Sequence, residues 1–395
     1  MTALTTPLER FLRADMFHRD IHPLLAEIRS RTPVAAVDVP ATATSPPAQQ
    51  FYVFSHALVR EVMGDPERFS NIAYAPQMRQ FAGRTLLEMD PPAHFAHRGP
   101  IAPLLRSSMV SGRYRGLVEG VVDAGVRRLG RMREADLLAD LTSWIPVRVI
   151  AGLIGVPESD EEYFCALATQ LIDVEAEWSA VTAARTELSG YFAGLVERGR
   201  RGGAPGLLDD LLAVRAPRRL SEEELVAFLL LLIPAGIETT HRAAANLLLA
   251  LFQRPGLHRA VRADRALLPQ ALEEVMRWEP AVGGGLRIAA RPTTLGGVAI
   301  PAGALVYTSF LAANRDPARF SDPDTLDVHR AGLQHVTYGH GPHLCLGMHL
   351  ARFEVVTLVD RLCDALPGLR LDPERPEPHF HGKIYRTPDA LPVLC

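Results

Sequence analysis

The segment Thr337–Gly347 packs three glycines, two histidines and one cysteine into a short loop, and an apolar helical pattern follows from Met348. Gly339 and Gly341 permit positive φ and close approach of another backbone. Cys345 is expected at the start of the following helix, Leu346-Gly347-Met348-His349. There the unpaired N–H groups and the positive end of the helix dipole favour thiolate over thiol. The four cysteines, Cys165, Cys345, Cys363 and Cys395, show no C-x-x-C spacing. Neither a disulfide framework nor a zinc knuckle follows. One thiolate with no second cysteine nearby suits a haem iron better than zinc. Alone, Cys345 reads more readily as a small buried hydrophobe, and the surrounding spacing turns the reading toward a metal ligand.

A second chemical group lies in the most apolar helix. The stretch Pro234-Ala235-Gly236-Ile237-Glu238-Thr239-Thr240 sets an acid beside two alcohols. Pro234 cannot donate to the carbonyl of Leu230, and Gly236 weakens the helix further. The Thr239 hydroxyl can bond back to the carbonyl of Ala235. Together these predict a bulge or kink. A carboxylate in such surroundings is costly unless paired or functional.

These groups must be held by a mainly helical frame. Helical periodicity covers Gly116–Arg133, Ala135–Ile154 (disturbed by Pro146), Asp160–Glu177, Ala180–Gly199, Ser221–Gln253 and Leu267–Trp278. Strand-like runs are short: Gln50–Ser55, Gly285–Ile288 and Ala304–Ser309. The long helix has a capping box, Ser221 with Glu224, and stops before Arg254-Pro255-Gly256. The expectation is one mainly α (α+β) domain over residues 1–395, with small sheets and a long buried central helix.

Composition bounds the function. The 395 residues are 48% hydrophobic and 22% charged, with net charge −3, which argues against a general nucleic-acid binder. Residues 1–13 contain no apolar signal core. The longest apolar run, Leu225–Ile237, has 13 residues and contains Pro234, too few for the roughly 18–20 of a membrane span. A cytoplasmic protein without membrane contact is expected. Low-complexity character is confined to Ala41–Gln50 and Arg198–Gly206.

The cysteine loop resembles the haem-binding loop of the cytochrome P-450 family, Phe-Gly-x-Gly-x-His-x-Cys-x-Gly. Here it runs Tyr338-Gly339-His340-Gly341-Pro342-His343-Leu344-Cys345-Leu346-Gly347, with Tyr338 replacing phenylalanine. Ala235-Gly236-Ile237-Glu238-Thr239 resembles the family's oxygen-activation motif, with Pro234 an atypical neighbour. Glu274 and Arg277 match its Glu-x-x-Arg helix. The third member of that network is open between Arg330 and Arg319, with Thr325 at the usual arginine position.

The resemblance covers roughly residues 50–394, residues 1–49 being an N-terminal segment, and its soluble bacterial members are the nearest in kind. It implies haem b (iron protoporphyrin IX) with Cys345 as axial ligand. Tyr338 and Gly339 would lie against the haem, and its propionates would meet His94, Arg98, Arg287 and His343. Glu238 would relay protons, and Thr239 would hydrogen-bond the oxygen being split. Ala235, Val282, Gly283, Ile384 and Tyr385 fall at substrate-pocket positions. The run Gly283-Gly284-Gly285 suggests open space, Lys383, Tyr385 and Arg386 suggest a polar or acidic substrate group, and residues 71–87 a roof. Implied partners are O2, a small organic substrate and a ferredoxin with its reductase. Arg106, Arg113, Arg115, Arg127, Arg128 and Arg352 are candidates for the docking face.

Three functions fit these residues. The first is a monooxygenase that hydroxylates or epoxidises a small molecule of bacterial secondary metabolism or catabolism. The second is a haem-thiolate oxidase coupling aromatic rings or desaturating a peptide or carrier-bound substrate. The third, a non-enzymatic haem sensor, would have no use for Glu238 and Thr239.

Overall fold

The computed structural model describes residues 6–13, 21–39, 48–173, 177–202, 206–215 and 219–395. Residues 41–47 and 203–205 of the two low-complexity segments, and 174–176 at the end of the expected Asp160–Glu177 helix, lie outside the described residues. The protein divides into two compact units, each assembled from separate stretches of chain.

The first unit comprises 1–74, 269–345 and 378–389. It opens with helices α1 (Pro7–Arg13) and α2 (His22–Arg31). Strands β1 (Val34–Val39), β2 (Ala48–Val53), β3 (Phe69–Ser70), β4 (Gly284–Ala289) and β5 (Leu305–Ser309) form one sheet in the order β1-β2-β5-β4-β3. Only β2 and β5 pair in parallel, with Phe51 opposite Val306. That pair sits in a core with Val53, Val59, Val62, Phe69 and Ile300. A second cluster, Phe11, Ile21, Leu25, Ile28 and Phe54, seats α1 and α2. Burial alternates along β4, the period-two signature of a half-covered strand, and places Arg287 on the buried side. A short hairpin, β6 (Phe380–His381) with β7 (Thr387–Pro388), closes this unit's last segment.

The second unit comprises 75–268, 346–377 and 390–395 and is mainly helical. Helix α3 (Arg115–Leu129) packs on Trp144–Ile154 and on Met348–Ala365. The expected Ala135–Ile154 helix is corrected. Glu134–Asp136 is a strand paired with Pro392–Leu394, and one π-helical turn, Leu138–Thr142, precedes the α-helix Trp144–Ile154. Pro146 therefore sits in a first turn, where its missing N–H costs nothing, and does not kink a helix.

The central helix starts as expected. Ser221 Oγ accepts from the Glu224 N–H (3.2 Å), and the Glu224 carboxylate accepts from the Ser221 N–H (2.7 Å). It is broken at Ile237 into α4 (Glu222–Gly236) and α5 (Glu238–Phe252). Pro234 and Gly236 account for the break, and a Cβ on Gly236 would meet Ile150 Cδ1 at 2.5 Å. Counted through the break, Glu222–Phe252 spans 31 residues, long and apolar enough to cross a bilayer, which the 13-residue run did not register. Its most apolar window is 56% buried inside the protein, as a core helix would be.

The last long helix, α6 (Met348–Ala365), carries a carboxyl where apolar residues are the rule. Glu354 is 3% exposed beside buried Val355, Leu350 and Leu358, and its Oε1 has no hydrogen-bond partner. Burial pushes this carboxyl up to about 8.

Candidate active site

In the first unit, the cysteine loop is a series of tight backbone turns. The Gly339 N–H donates to Val336 O (2.8 Å), the Leu344 N–H to Gly341 O (3.1 Å) and the Cys345 N–H to Tyr338 O (2.7 Å). Gly339 and Gly341 have φ of 80° and 72°. A Cβ on Gly341 would stand 2.6 Å from the carbonyl of Met63, so both conformation and space require glycine there. Cys345 forms no disulfide and is partly exposed. Helix α6 starts at Met348 with Gly347 as its cap, so Cys345 precedes the helix instead of opening it. The loop's own turns therefore present the sulfur. His343 ends the short turn Gly341–His343, and the Tyr338 ring lies 5.5 Å from that of His335.

Behind the loop, Arg277 and Glu274 are both fully buried. The Arg277 guanidinium donates to both Glu274 oxygens (2.8 and 2.7 Å) and to the carbonyls of Asn314, Pro323 and Thr325. Arg330 also donates to Glu274 (3.1 Å) and to Thr325 O (2.9 Å). Arg330 is thus the third member, Thr325 contributes only its carbonyl, and Arg319 instead donates to Gly332 O. Every donor of Arg277 is served, which is what a buried guanidinium requires.

The glycine run does not open space. The Gly283 N–H donates to Ile384 O, and Gly283 O accepts from the Phe310 N–H. A Cβ on Gly283 would fall 1.9 Å from Lys383 O, and one on Gly284 would fall 2.3 Å from Thr308 O. The glycines let three backbone stretches cross in contact. Val282 bridges Tyr385, so Val282, Gly283, Ile384 and Tyr385 are brought together. Ile384 and Tyr385 are 48% and 36% exposed. Lys383 and Arg386 are engaged by protein groups: Lys383 meets Phe11 O and Leu12 O, and Arg386 is buried on Glu279. They do not offer free charge to an acidic substrate.

In the second unit, the break between α4 and α5 is the exposed point of an otherwise buried helix. Leu229–Ile233 and Ala243–Leu251 are buried, whereas Ala235 is exposed and Pro234, Gly236, Glu238 and Thr239 are partly so. The Thr239 hydroxyl donates to Ala235 O at 2.8 Å, the expected back-bond. Glu238 accepts from Arg242 Nε and Nη2 at 2.9 and 2.7 Å, each side chain about 15% exposed. Arg242 was missed, although glutamate followed four residues later by arginine on a helix is itself a pairing signal. His94 and Arg98 stand one turn apart on the helix Ala93–Ile101. His94 is fully buried, and burial lowers its imidazole to about 4, with the Arg98 charge adding to the effect. The expected roof is largely helical, with a 3-10 turn Asn71–Tyr74 and a helix Ala75–Phe81.

Of the arginines suggested for docking, Arg113 pairs with Asp210, Arg115 with Glu119, and Arg128 lies over the Trp144 ring. Arg106 and Arg127 are exposed.

A family model described as cytochrome P-450 matches residues 178–365. Nocardicin C N-oxygenase of Nocardia uniformis subsp. tsuyamanensis is 34% identical, over 95% of each chain. The chain belongs to the cytochrome P-450 family. Mycinamicin IV hydroxylase/epoxidase of Micromonospora griseorubida is also 34% identical, over 95% of this chain and 97% of its own. The ligand-free monooxygenase TamI superposes with a TM-score of 0.86 at 32% identity, over 95% of this chain and 91% of that one. The Bacillus subtilis enzyme PksS shares the fold, with a TM-score of 0.88 at 24% identity.

The protein is accordingly a cytochrome P-450 monooxygenase of mainly helical fold with small sheets, an oxidoreductase that uses haem b, O2 and electrons from a redox partner. Its donor set fits that cofactor. Among the described residues no group of three or more His, Cys, Asp or Glu could hold a bare metal ion, while one cysteine is presented by a glycine-bounded loop. A haem iron would need only one such thiolate from the protein, because the porphyrin nitrogens would also hold it.

Proposed function

We propose that this enzyme hydroxylates or epoxidises a small organic molecule of bacterial secondary metabolism. Three relatives' names support this: Nocardicin C N-oxygenase, Cyclomarin C epoxidase CymV and Mycinamicin IV hydroxylase/epoxidase are all named for oxygenation. The carrying observation is the break in a buried helix, where Ala235 is exposed and Glu238 and Thr239 are partly so. In this proposal Cys345 ligates the iron. His94, Arg98, Arg287 and His343 hold the propionates, Tyr338 and Gly339 flank the ring, and Ala235, Val282, Gly283, Ile384 and Tyr385 face substrate.

Bound haem supplies the iron at which dioxygen is reduced and split. The protein's residues supply protons and exclude water. Thr239, by donating its own proton to Ala235 O, leaves its oxygen lone pairs as acceptors in the break. Glu238 is the titratable group beside it, and Arg242 fixes its carboxylate against the helix. Buried leucines flank the break, so these two side chains are the polar groups that the helix would offer for proton delivery.

We further propose that the two units work as one catalytic domain in the cytoplasm, fed by a ferredoxin and its reductase. The exposed Arg106 and Arg127 suit an acidic partner.

The test compares the reduced carbon monoxide adduct of the wild type with that of Cys345→Ser. Loss of the thiolate must shift the Soret band, and an unchanged band would refute the ligand assignment. In Thr239→Ala, reductant should still be consumed while product per reductant falls. Full coupling in that variant would remove Thr239 from the reaction.

A further inference from the structure

Lys383, Ile384, Tyr385 and Arg386 sit in the turn between β6 and β7. Its backbone is pinned three times. Gly382 has φ of 105°, and a Cβ there would strike the Tyr385 carbonyl at 1.9 Å. The Ile384 carbonyl accepts from the Gly283 N–H at 2.7 Å, and the Arg386 N–H donates to Ala281 O at 3.0 Å. Backbone pinning sets where the turn lies, and the side chains at its two ends set how it tilts. Both ends are tied to the chain's N-terminal helices.

At one end, Lys383 Nζ donates to Phe11 O (3.3 Å) and Leu12 O (3.5 Å), carbonyls of the last turn of α1. A cation belongs there, since the C-terminal carbonyls of a helix lack N–H partners. The ammonium also lies 5.8 Å from the centre of the Phe11 ring. That ring is buried edge-on against Tyr52 and Phe54. At the other end, the buried Arg386 donates to Glu279 and to Gly382 O. The Glu279 carboxylate lies 3.1 Å from Nε2 of His22, the first residue of α2, and also accepts from Arg315 at 3.5 Å. Between these two ties stand Ile384 and Tyr385, the apolar and exposed members of the turn.

We propose that α1 and α2 clamp the 382–386 turn through Lys383 and Arg386, making these two charged side chains positioning residues that set the direction of Ile384 and Tyr385. The N-terminal segment, outside the part of the chain that carries the family's motifs, thereby tunes which substrates fit. This rests on the proposed placement of Ile384 and Tyr385 at the substrate site. Displacement of a pocket wall by about 1 Å is enough to change selectivity by an order of magnitude.

The experiment uses the haem-loaded enzyme and two probes, imidazole and 4-phenylimidazole, whose binding is read from the Soret shift. The ratio of their affinities reports space above the haem. Lys383→Met should change that ratio about tenfold, Lys383→Arg should restore it, and Ile384→Ala should change it as well. If Ile384→Ala moves the ratio and Lys383→Met does not, the clamp is wrong while the site placement stands. If neither moves it, the placement of Ile384 fails and the clamp fails with it.

Hydrogen exchange on the wild type gives a second measurement that needs no variant to fold. Adding 4-phenylimidazole should change protection in residues 7–13 together with 380–388. A change confined to 380–388 would overturn the clamp.

Discussion

Replacing Glu354 by glutamine should make the enzyme more stable, and increasingly so as pH rises. The folded protein holds this carboxyl at about 8, against 4.5 for the same group in water, because burial penalises the charge. Below pH 4.5 the group is neutral in both states and costs nothing. Between 4.5 and about 8 the unfolded chain ionises and the folded one does not, so folding loses about 1.4 kcal/mol per pH unit. The loss is about 3 kcal/mol at pH 7 and levels off near 5 kcal/mol above pH 8, a large share of the usual 5–15 kcal/mol. Glutamine keeps the shape and cannot ionise. Guanidinium unfolding of both proteins at pH 5, 7 and 9, at fixed salt, isolates the effect because all other titrating groups cancel in the difference. The stability gap should widen from below about 1 kcal/mol at pH 5 to about 3 at pH 7. A gap that stays constant across that range would show that Glu354 ionises freely in the folded protein, and the reasoning from burial would fall.

Other expectations follow from the same structure. Arg277→Met leaves the buried Glu274 with Arg330 as its remaining cation and takes a donor from the carbonyls of Asn314, Pro323 and Thr325, and should cost about 3–5 kcal/mol in denaturant unfolding, with haem content falling in parallel. A loss under about 1 kcal/mol would contradict the network. Gly341→Ala should lower the unfolding temperature and haem incorporation, because φ is 72° and the Met63 carbonyl occupies the Cβ position. Gly347→Ala, with nothing within 4 Å, should be tolerated. If the two variants behave alike, the crowding argument fails. Glu238→Gln retains an acceptor for Arg242 but no transferable proton, so turnover should drop about 10²-fold with a larger solvent isotope effect. Unchanged turnover would exclude it as the proton donor.

What the sequence made legible was local. The capping box, the break at Pro234–Gly236, the Glu274–Arg277 pair and the glycine requirement in the cysteine loop all depend on residues a few positions apart. What it hid depends on distant partners. Ala135 and Asp136 fall within the helical periodicity that runs to Ile154, and they belong to a strand because Pro392–Leu394 lies beside them. Arg330 and Arg319 were indistinguishable until Glu274 was placed against one of them. The three glycines looked like empty space because the carbonyls of Lys383 and Thr308 that fill it come from elsewhere in the chain. Arg242 is the exception, since its partner Glu238 lies only one helical turn away in the sequence.

The parallel pairing of β2 with β5 has a consequence for how the enzyme is made. Gln50 leaves the ribosome well before Leu305, its partner across the ladder. At ~5–20 residues per second, that delay is on the order of tens of seconds. During it, the apolar residues of β2 have no neighbour on that side. The cysteine loop and the 382–386 turn are translated later still. This cytochrome P-450 therefore completes its first unit only after residues 378–389 have been made. The time when it most needs protection from aggregation is before β5 is available to cover β2.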